Sequence, residues 1–358
     1  MTITFTRYLY NLDEVKLSFI EALLKKENIN ECYFWIYEIY ESGFVEETWN
    51  LLYKIFYDFF GTKNYKMEIK IKVKHKKWKK DNKLEHILWI VKNLFRFVSD
   101  YNVFILRTYY FNKNIEIVKD NEVDLKNITI TEKKLINAIK QKKRIAIAYY
   151  LNKLKDKSNI VELCKKIIQK EFVLNEYYNN LYHQLLVFIL KNMKIIKKKK
   201  IIYKKVTNNE ILNLIKTNES CKNMGKYDDI SYVYKTLKLR RLYSISKNIG
   251  CFKLNRENID LNHKFWYHWE YFAYKSPIWK KRFDKYSIKI NTEKELIEFK
   301  NDTEEEEFYE EFGYEPDEQE KVVQEKSTRE IKSQNIKNWL MLIYNKSNLK
   351  KMGKKIVY

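Results

Sequence analysis

The sequence predicts a mainly α-helical protein, an antiparallel bundle or an α-solenoid, and three observations carry that expectation. Glycine and proline are scarce, 6 and 2 among 358 residues, whereas hairpin-rich β architectures need glycine at left-handed turn positions. Apolar residues recur at helical spacing from residue 12 to about residue 60, with very little chain between the runs. No GxxxxGK[ST] or GxGxxG motif occurs, which disfavours the folds that cradle phosphates on glycine-rich loops.

The first sixty residues read as three helices. Asn11 stands three residues before Glu14, and Leu12, Val15, Phe19 and Leu23 follow at helical spacing through about Lys26. A second run, from about Asn30 through Tyr33, Ile36, Tyr37 and Tyr40, stops at Gly43. A third, with Trp49, Leu52, Phe56 and Phe59, stops at Gly61. Loops this short force neighbouring helices antiparallel. Residues 67–74, MEIKIKVK, alternate with period two, a strand signal, while Met67, Ile71 and Trp78 fit a helix; helix is favoured, with a small β element over 2–7 and 67–74 as the alternative. Helices are then expected over about 84–98, 101–112, 132–156, 160–172, 174–195 and 210–217, with Thr131 and Ser158 near two of the starts. The stretch 217–260 is rich in Asn, Ser and Lys and poorly periodic. An aromatic helix from about 262, broken at Pro277, an acidic run and an amphipathic helix near 328–345 with Trp339, Leu340, Leu342 and Ile343 complete the chain. The expected organisation is an N-terminal helical domain over 1–118, a middle helical domain over 132–216, a connection over 217–260 and an aromatic and acidic region over 261–358.

The formal net charge is +23, which favours anionic partners. Residues 301–320 hold eleven acids and no Lys or Arg, so removing them leaves +34 on the rest. Of the basic residues 61 are Lys and 9 are Arg. Lysine is a point charge rather than a bidentate fork, so this balance suits sequence-independent phosphate contacts. Lys, Asn, Ile and Tyr also share A/T-rich codons, so genome composition is a competing source of the lysine excess. The cysteines, Cys32, Cys164, Cys221 and Cys251, form no C-x-x-C pair, and neither a zinc module nor a disulfide framework is expected. The start lacks a secretory pattern and no apolar run approaches about 18 residues; a soluble intracellular protein with no membrane span is expected.

Two basic stretches are candidate phosphate-binding surfaces: Lys66–Lys83, with Lys70, Lys72, Lys74, Lys76, Lys77, Lys79 and Lys80, and Lys191–Lys205, with Lys197, Lys198, Lys199 and Lys200. Solvated helix faces would carry the same composition. The aromatic segment 263–279 supplies candidate partner-interface residues Trp266, Trp269, Tyr271 and Trp279. Aromatics fall on every face of that helix, so part of it must be buried. Tyr309, Phe312 and Tyr314 interrupt the acidic run and join the same candidate interface, and the acids are suited to docking on a basic surface, the chain's own included. His263 and His268 are five apart, the wrong spacing for one metal on a regular helix. Cys164 with His183 has no supporting signature of a nucleophilic pair. No cofactor and no metal are expected, and no catalytic motif is found.

Four segments, MTITFTRYLY at the start, ECYFWIYEIYESGF at 31–44, HWEYFAYKSPIWKKRF at 268–283 and EEEEFYEEFGYEPDEQEKVVQEKS at 304–327, resemble a family of uncharacterised proteins of the nucleocytoplasmic large DNA viruses, the giant viruses. The resemblance covers about a fifth of the residues and leaves 120–260 unmatched. It implies a viral product of the host cytoplasm, acting in a virus factory or packaged in the virion, with viral protein partners, and it brings no catalytic residues. The function expected is a non-enzymatic helical scaffold or interaction protein. The alternative is a basic nucleic-acid-associated protein of viral transcription or genome packaging.

Overall fold

The computed structural model describes residues 3–108, 129–193, 202–223, 243, 245 and 260–312, with side chains placed for all of these except 217–223 and 262. The described chain is mainly helical. In order it forms α1 (Leu12–Lys25), α2 (Ile29–Glu41), α3 (Val45–Ile55) continued by a π-turn (Phe56–Phe60), α4 (Met67–Asp81), α5 (Glu85–Arg96), α6 (Asn102–Thr108), α7 (Ile130–Lys140), α8 (Arg144–Leu154), α9 (Ile160–Ile168), α10 (Leu181–Asn192), α11 (Asn208–Asn223), α12 (Leu261–Tyr267), α13 (Trp269–Tyr274), α14 (Pro277–Phe283), strands β1 (Ile288–Asn291) and β2 (Leu296–Phe299), and α15 (Asp302–Phe312).

The chain divides into two compact units. Unit 1 comprises Met1–Thr48 and Val206–Tyr358, and unit 2 is Trp49–Lys205. Unit 2 is therefore an insertion in the sequence of unit 1, with α3 carrying the first boundary.

In unit 1 the chain start and the aromatic segment build one core. Ile3, Phe5 and Leu9 are buried with Phe265, Trp269, Phe272, Ala273, Trp279, Phe283 and Phe308. The Phe5 amide donates to the Phe272 carbonyl at 3.2 Å, and the Trp279 indole N–H donates to the Thr6 carbonyl at 3.0 Å. Gly43 takes φ +88°, and a Cβ there would meet Pro277 at 2.6 Å, so both the turn and the close approach require glycine. The aromatic stretch is three short helices. His268 leaves helical geometry between α12 and α13, Ser276 caps α14 by accepting from the Trp279 amide, and Pro277 takes the first-turn position that suits it.

Unit 2 packs α4 to α10 and the π-turn around buried Leu52, Phe56, Phe59, Ile71, Ile90, Leu94, Leu185 and Ile189. Thr129 and Glu132 form a capping box at α7, two residues before the expected Thr131. The expected helix 132–156 is two, divided where Lys142 takes φ +55°. The expected helix 174–195 starts only at Leu181, because Asn175 is held by Gln184, whose Oε1 accepts from the Asn175 amide at 2.7 Å and whose Nε2 donates to the Asn175 carbonyl at 3.2 Å. Gly61 is helical rather than left-handed. Its role is space, since a Cβ would meet Val187 Cγ1 at 2.9 Å.

The β element lies elsewhere than expected. Residues 67–74 belong to α4, because Met67, Ile71, His75 and Trp78 form a buried helical stripe while Ile69 and Val73, the other half of the alternation, face solvent. Near the chain start there is a single bridge, Phe5 to Asn11, among the described residues. The sheet is the antiparallel pair β1–β2, in register Ile288 with Phe299. Its turn has no glycine, and Glu295 supplies the left-handed position at φ +56°. The helix expected near 328–345 lies outside the described residues.

Candidate functional site

Charge divides along the same boundary as the fold. Counted over the full sequence, unit 2 holds 37 Lys and Arg against 14 Asp and Glu, and unit 1 holds 33 of each, so unit 2 carries the whole +23 and unit 1 carries none. The eleven acids of 301–320 account for much of that neutrality.

Among the described residues of unit 2, α4 presents a dense basic face. Its buried stripe orients the rest of the helix: Lys70, Lys76, Lys77, Lys79 and Lys80 are exposed, with Ile69 (65% exposed) and Val73 (46% exposed) among them. Three expected sites are partly committed to packing. Lys74 Nζ lies 5.0 Å from the centre of the Trp89 ring and 3.9 Å from Glu85, and burial lowers its pKa. Lys72 is half-buried, and Lys79 Nζ rests 5.0 Å over the Tyr177 ring.

The second basic stretch meets the first at α5. Asn93 clamps the backbone of Lys204, with its Oδ1 accepting from the amide at 2.9 Å and its Nδ2 donating to the carbonyl at 3.0 Å. Lys92 Nζ donates to the Lys205 carbonyl at 2.9 Å. Tyr203 stacks on Trp89 at 5.5 Å, the same ring that receives Lys74. Lys204 and Lys205 are exposed, so their charges extend the basic face around Trp89. At the other end of the stretch Lys191 packs over Tyr65 and Phe188, and burial lowers its pKa. Lys197, Lys198, Lys199 and Lys200 lie outside the described residues.

The aromatic candidates are placed inside unit 1. Trp269 and Trp279 are each 1% exposed and meet edge to face at 5.3 Å. Trp266, Tyr271, Tyr309 and Phe312 are half-buried against the same core; Tyr314 lies outside the described residues. The acidic run docks, in its described part, as α15. Phe308 is fully buried and stacks on Phe283 at 4.4 Å, Glu311 accepts from Lys285 Nζ at 2.6 Å and from the Tyr286 hydroxyl at 2.9 Å, and the Tyr309 hydroxyl donates to Glu270. Burial pushes the Glu270 carboxyl up to about 7.

Sequence reasoning missed a buried polar network in unit 2. Arg107 pairs with both oxygens of Asp58, at 3.0 and 2.8 Å; His183 Nε2 stands 4.0 Å from Asp58, and His183 Nδ1 is 2.7 Å from the Tyr178 hydroxyl. Beside it Tyr57 donates to Glu68 at 2.7 Å and accepts from Asn175 at 3.1 Å. His75 stacks flat on Trp49, with ring centres 4.0 Å apart. These side chains are buried or half-buried and mutually satisfied to a large degree, which is the arrangement of a structural network. The only sequence signal for it is polar residues recurring inside apolar runs. Burial raises the Cys164 thiol to about 12, away from nucleophilic chemistry at neutral pH. His263 and His268 have ring centres 5.2 Å apart, but among the described residues no group of three or more His, Cys, Asp or Glu is placed to hold a metal. Among those residues, too, no helix is long and apolar enough to cross a membrane.

Comparison with known proteins finds no matching family model, no matching curated protein and no matching solved structure.

Proposed function

We propose that the protein is a non-enzymatic nucleic-acid-associated protein that holds phosphates without reading sequence, through the lysine face of unit 2. The observation that carries this reading is the segregation of charge: the entire +23 falls on the inserted unit, and the described lysines of both basic stretches extend from α4 to the segment held on α5. A genome-wide codon bias would load lysine on both units alike. Ile69 and Val73, exposed between the lysines, supply apolar contact to sugar and base faces. The scaffold reading is less well supported, because Trp269 and Trp279, its strongest anchors, are spent on the chain's own core.

The viral setting remains part of the proposal. The four segments that resemble giant-virus proteins stand far apart in sequence, yet their described parts pack on one another in unit 1: Arg7 on Glu38, Phe5 on Phe272, Ser42 on Ile278, Trp279 on Phe312. That is the pattern expected if a shared unit hosts the basic insertion, and it suits a role in transcription or genome packaging in a virus factory.

The test is binding of a labelled duplex and a labelled single strand of arbitrary sequence as salt is raised from about 50 to about 200 mM. A slope of log affinity against log salt implying several phosphates is expected. Replacing Lys70, Lys76, Lys77 and Lys80 together by Gln should flatten that slope by about 4 and weaken binding on the order of 1,000-fold near 0.1 M salt, since each phosphate contact contributes about 0.9 to the slope. A slope near zero, or an unchanged slope in the variant, overturns the reading.

A further inference from the structure

Unit 1 carries no net charge, yet it contains an arginine whose guanidinium has no direct acidic partner among the described residues. Arg282 lies in the last turn of α14, half-buried. Its Cζ is 4.4 Å from the centre of the Trp279 ring and 5.2 Å from that of Phe312. Among the described residues its side chain makes no ion pair and no hydrogen bond. The two acids whose field reaches it are engaged elsewhere. Glu38 accepts from Arg7 Nε at 2.7 Å and from the Tyr8 amide at 3.1 Å, and Glu311 accepts from Lys285 and Tyr286. The nearby cation is Arg7, itself held between the rings of Tyr8 and Tyr37, with Cζ 4.4 and 4.7 Å from their centres. Burial, and then repulsion from Arg7, lower the Arg282 pKa to about 10.

A guanidinium has five donors in one plane and no acceptor. Rings packed against Arg282 restrain the orientation of that plane while leaving its donors unspent, the preorganisation that a planar or tetrahedral oxyanion needs for bidentate contact. A partly desolvated cation beside a second cation is a costly arrangement without a counter-ion, and a bound anion removes the cost. We propose that Arg282, with Arg7 in electrostatic reach, is a binding site for an oxyanion, a phosphate or carboxylate group carried by a ligand of unit 1. This proposal is independent of the lysine face of unit 2.

Amide hydrogen exchange on the full chain tests it, with inorganic phosphate, acetate or chloride compared at one ionic strength. An anion that binds the folded unit slows exchange by the factor one plus concentration over dissociation constant, about tenfold at roughly ten times that constant. Peptides covering 277–312 should slow in phosphate or acetate relative to chloride; whichever anion acts identifies the source of the oxygen pair. Peptides of unit 2 report general attraction to lysines and serve as the internal reference. Arg282→Met should abolish the effect, and in chloride its exchange should be no faster than that of the unaltered protein, because a charge without a direct acidic partner has been removed. Arg282→Lys, which keeps the charge without the fork, should retain only part of it. Equal slowing in Arg282→Met, no slowing by either anion, or faster exchange of Arg282→Met in chloride with no anion effect in the unaltered protein would each overturn the proposal, the last marking a purely structural arginine.

Discussion

The two units solve the same problem, burying enough surface to hold a helical fold, with a different balance of charge and of buried polar groups. Unit 1 is electrically neutral and fills its core with aromatic rings, Phe5, Phe265, Trp269, Phe272, Trp279, Phe283 and Phe308, drawn from both ends of its divided chain. Unit 2 carries +23 and buries polar groups among its apolar helices: Asp58 with Arg107 and His183, and Glu68 with Tyr57 and Asn175. Unit 1 has a buried pair of its own, Arg7 with Glu38, set beside a largely aromatic cluster, whereas in unit 2 the hydrogen-bonded groups lie among the apolar helices. A high surface charge also costs unit 2 self-repulsion that unit 1 does not bear. The net positive charge thus falls on the inserted unit.

The largest expected effect that sharpens this contrast is in the aromatic core. Phe308→Ala removes the ring by which α15 stacks on Phe283 at 4.4 Å and meets Phe299 at 5.1 Å. A loss of about 3–5 kcal/mol is expected from a buried Phe→Ala change. Hydrogen exchange should accelerate in peptides of unit 1 and stay unchanged in unit 2. Acceleration in both would show that the units do not stand apart energetically.

Acid should separate them with opposite signs. In unit 2 burial holds His75 and His183 down to about 4, against an ordinary value of 6.5. The unfolded chain then binds more protons between those values, so this contribution is complete above pH 6.5 and is lost as pH falls toward 4, on the order of 3 kcal/mol for each histidine at about 1.4 kcal/mol per unit. In unit 1 burial raises Glu270 to about 7 from 4.5. There the folded state binds the extra proton, so that contribution is present below pH 4.5 and is lost as pH rises through 7. Once rates are corrected for the intrinsic slowing of amide exchange in acid, lowering pH from 7 to 5 should reduce protection in unit 2 and raise it in unit 1. His183→Gln should reduce the unit 2 response, and equal acid sensitivity in both units would break the comparison.

How much of this was legible in the sequence follows the same division. The helices of the first sixty residues and α5 announce themselves because one apolar stripe per helix faces a core, α4 reads as a helix only against a competing period-two alternation, and Gly43 marks a true left-handed stop. The hairpin was hidden because its turn uses Glu295 rather than glycine at the left-handed position. The start of α10 was displaced because side-chain amides, Asn175 and Gln184, hold residues 175–180 in a non-helical path that no periodicity encodes. The anchoring of the acidic run was foreshadowed by Tyr309 and Phe312, though the residue most deeply buried, Phe308, was not singled out. The confinement of charge to one unit was invisible for a different reason: unit 1 is discontinuous, so no window along the chain shows its 33 acids balancing its 33 bases. The basic stretches themselves were plain, but their meeting at Trp89 depends on Asn93 clamping Lys204 across 111 residues.

Two smaller changes test whether unit 2 depends on fit as closely as its polar network implies. Gly61→Ala places a methyl 2.9 Å from Val187 Cγ1 in a helical backbone that alanine otherwise favours. Overpacking of this kind costs about 1–3 kcal/mol, so unit 2 exchange should speed up, and pairing it with Val187→Ala should restore most of the loss. A gain in stability from Gly61→Ala alone would mean that the helix-forming advantage of alanine outweighs the contact. The smallest expected effect is at the capping box of α7. The Thr129 hydroxyl accepts from the Glu132 amide at 3.4 Å, while Glu132 accepts from the Thr129 amide at 2.7 Å and also from Asn159 at 3.1 Å. These hydrogen bonds hold the Glu132 carboxyl below its ordinary pKa, with the Thr129 hydroxyl the foremost of them. Thr129→Ala should cost about 1 kcal/mol, and because the carboxylate loses a donor, the part of stability that depends on Glu132 being charged should shrink as well. The deficit should therefore be largest above the ordinary carboxylate range and fade as pH falls through it, whereas a deficit independent of pH would assign the cap to the hydroxyl and the backbone alone.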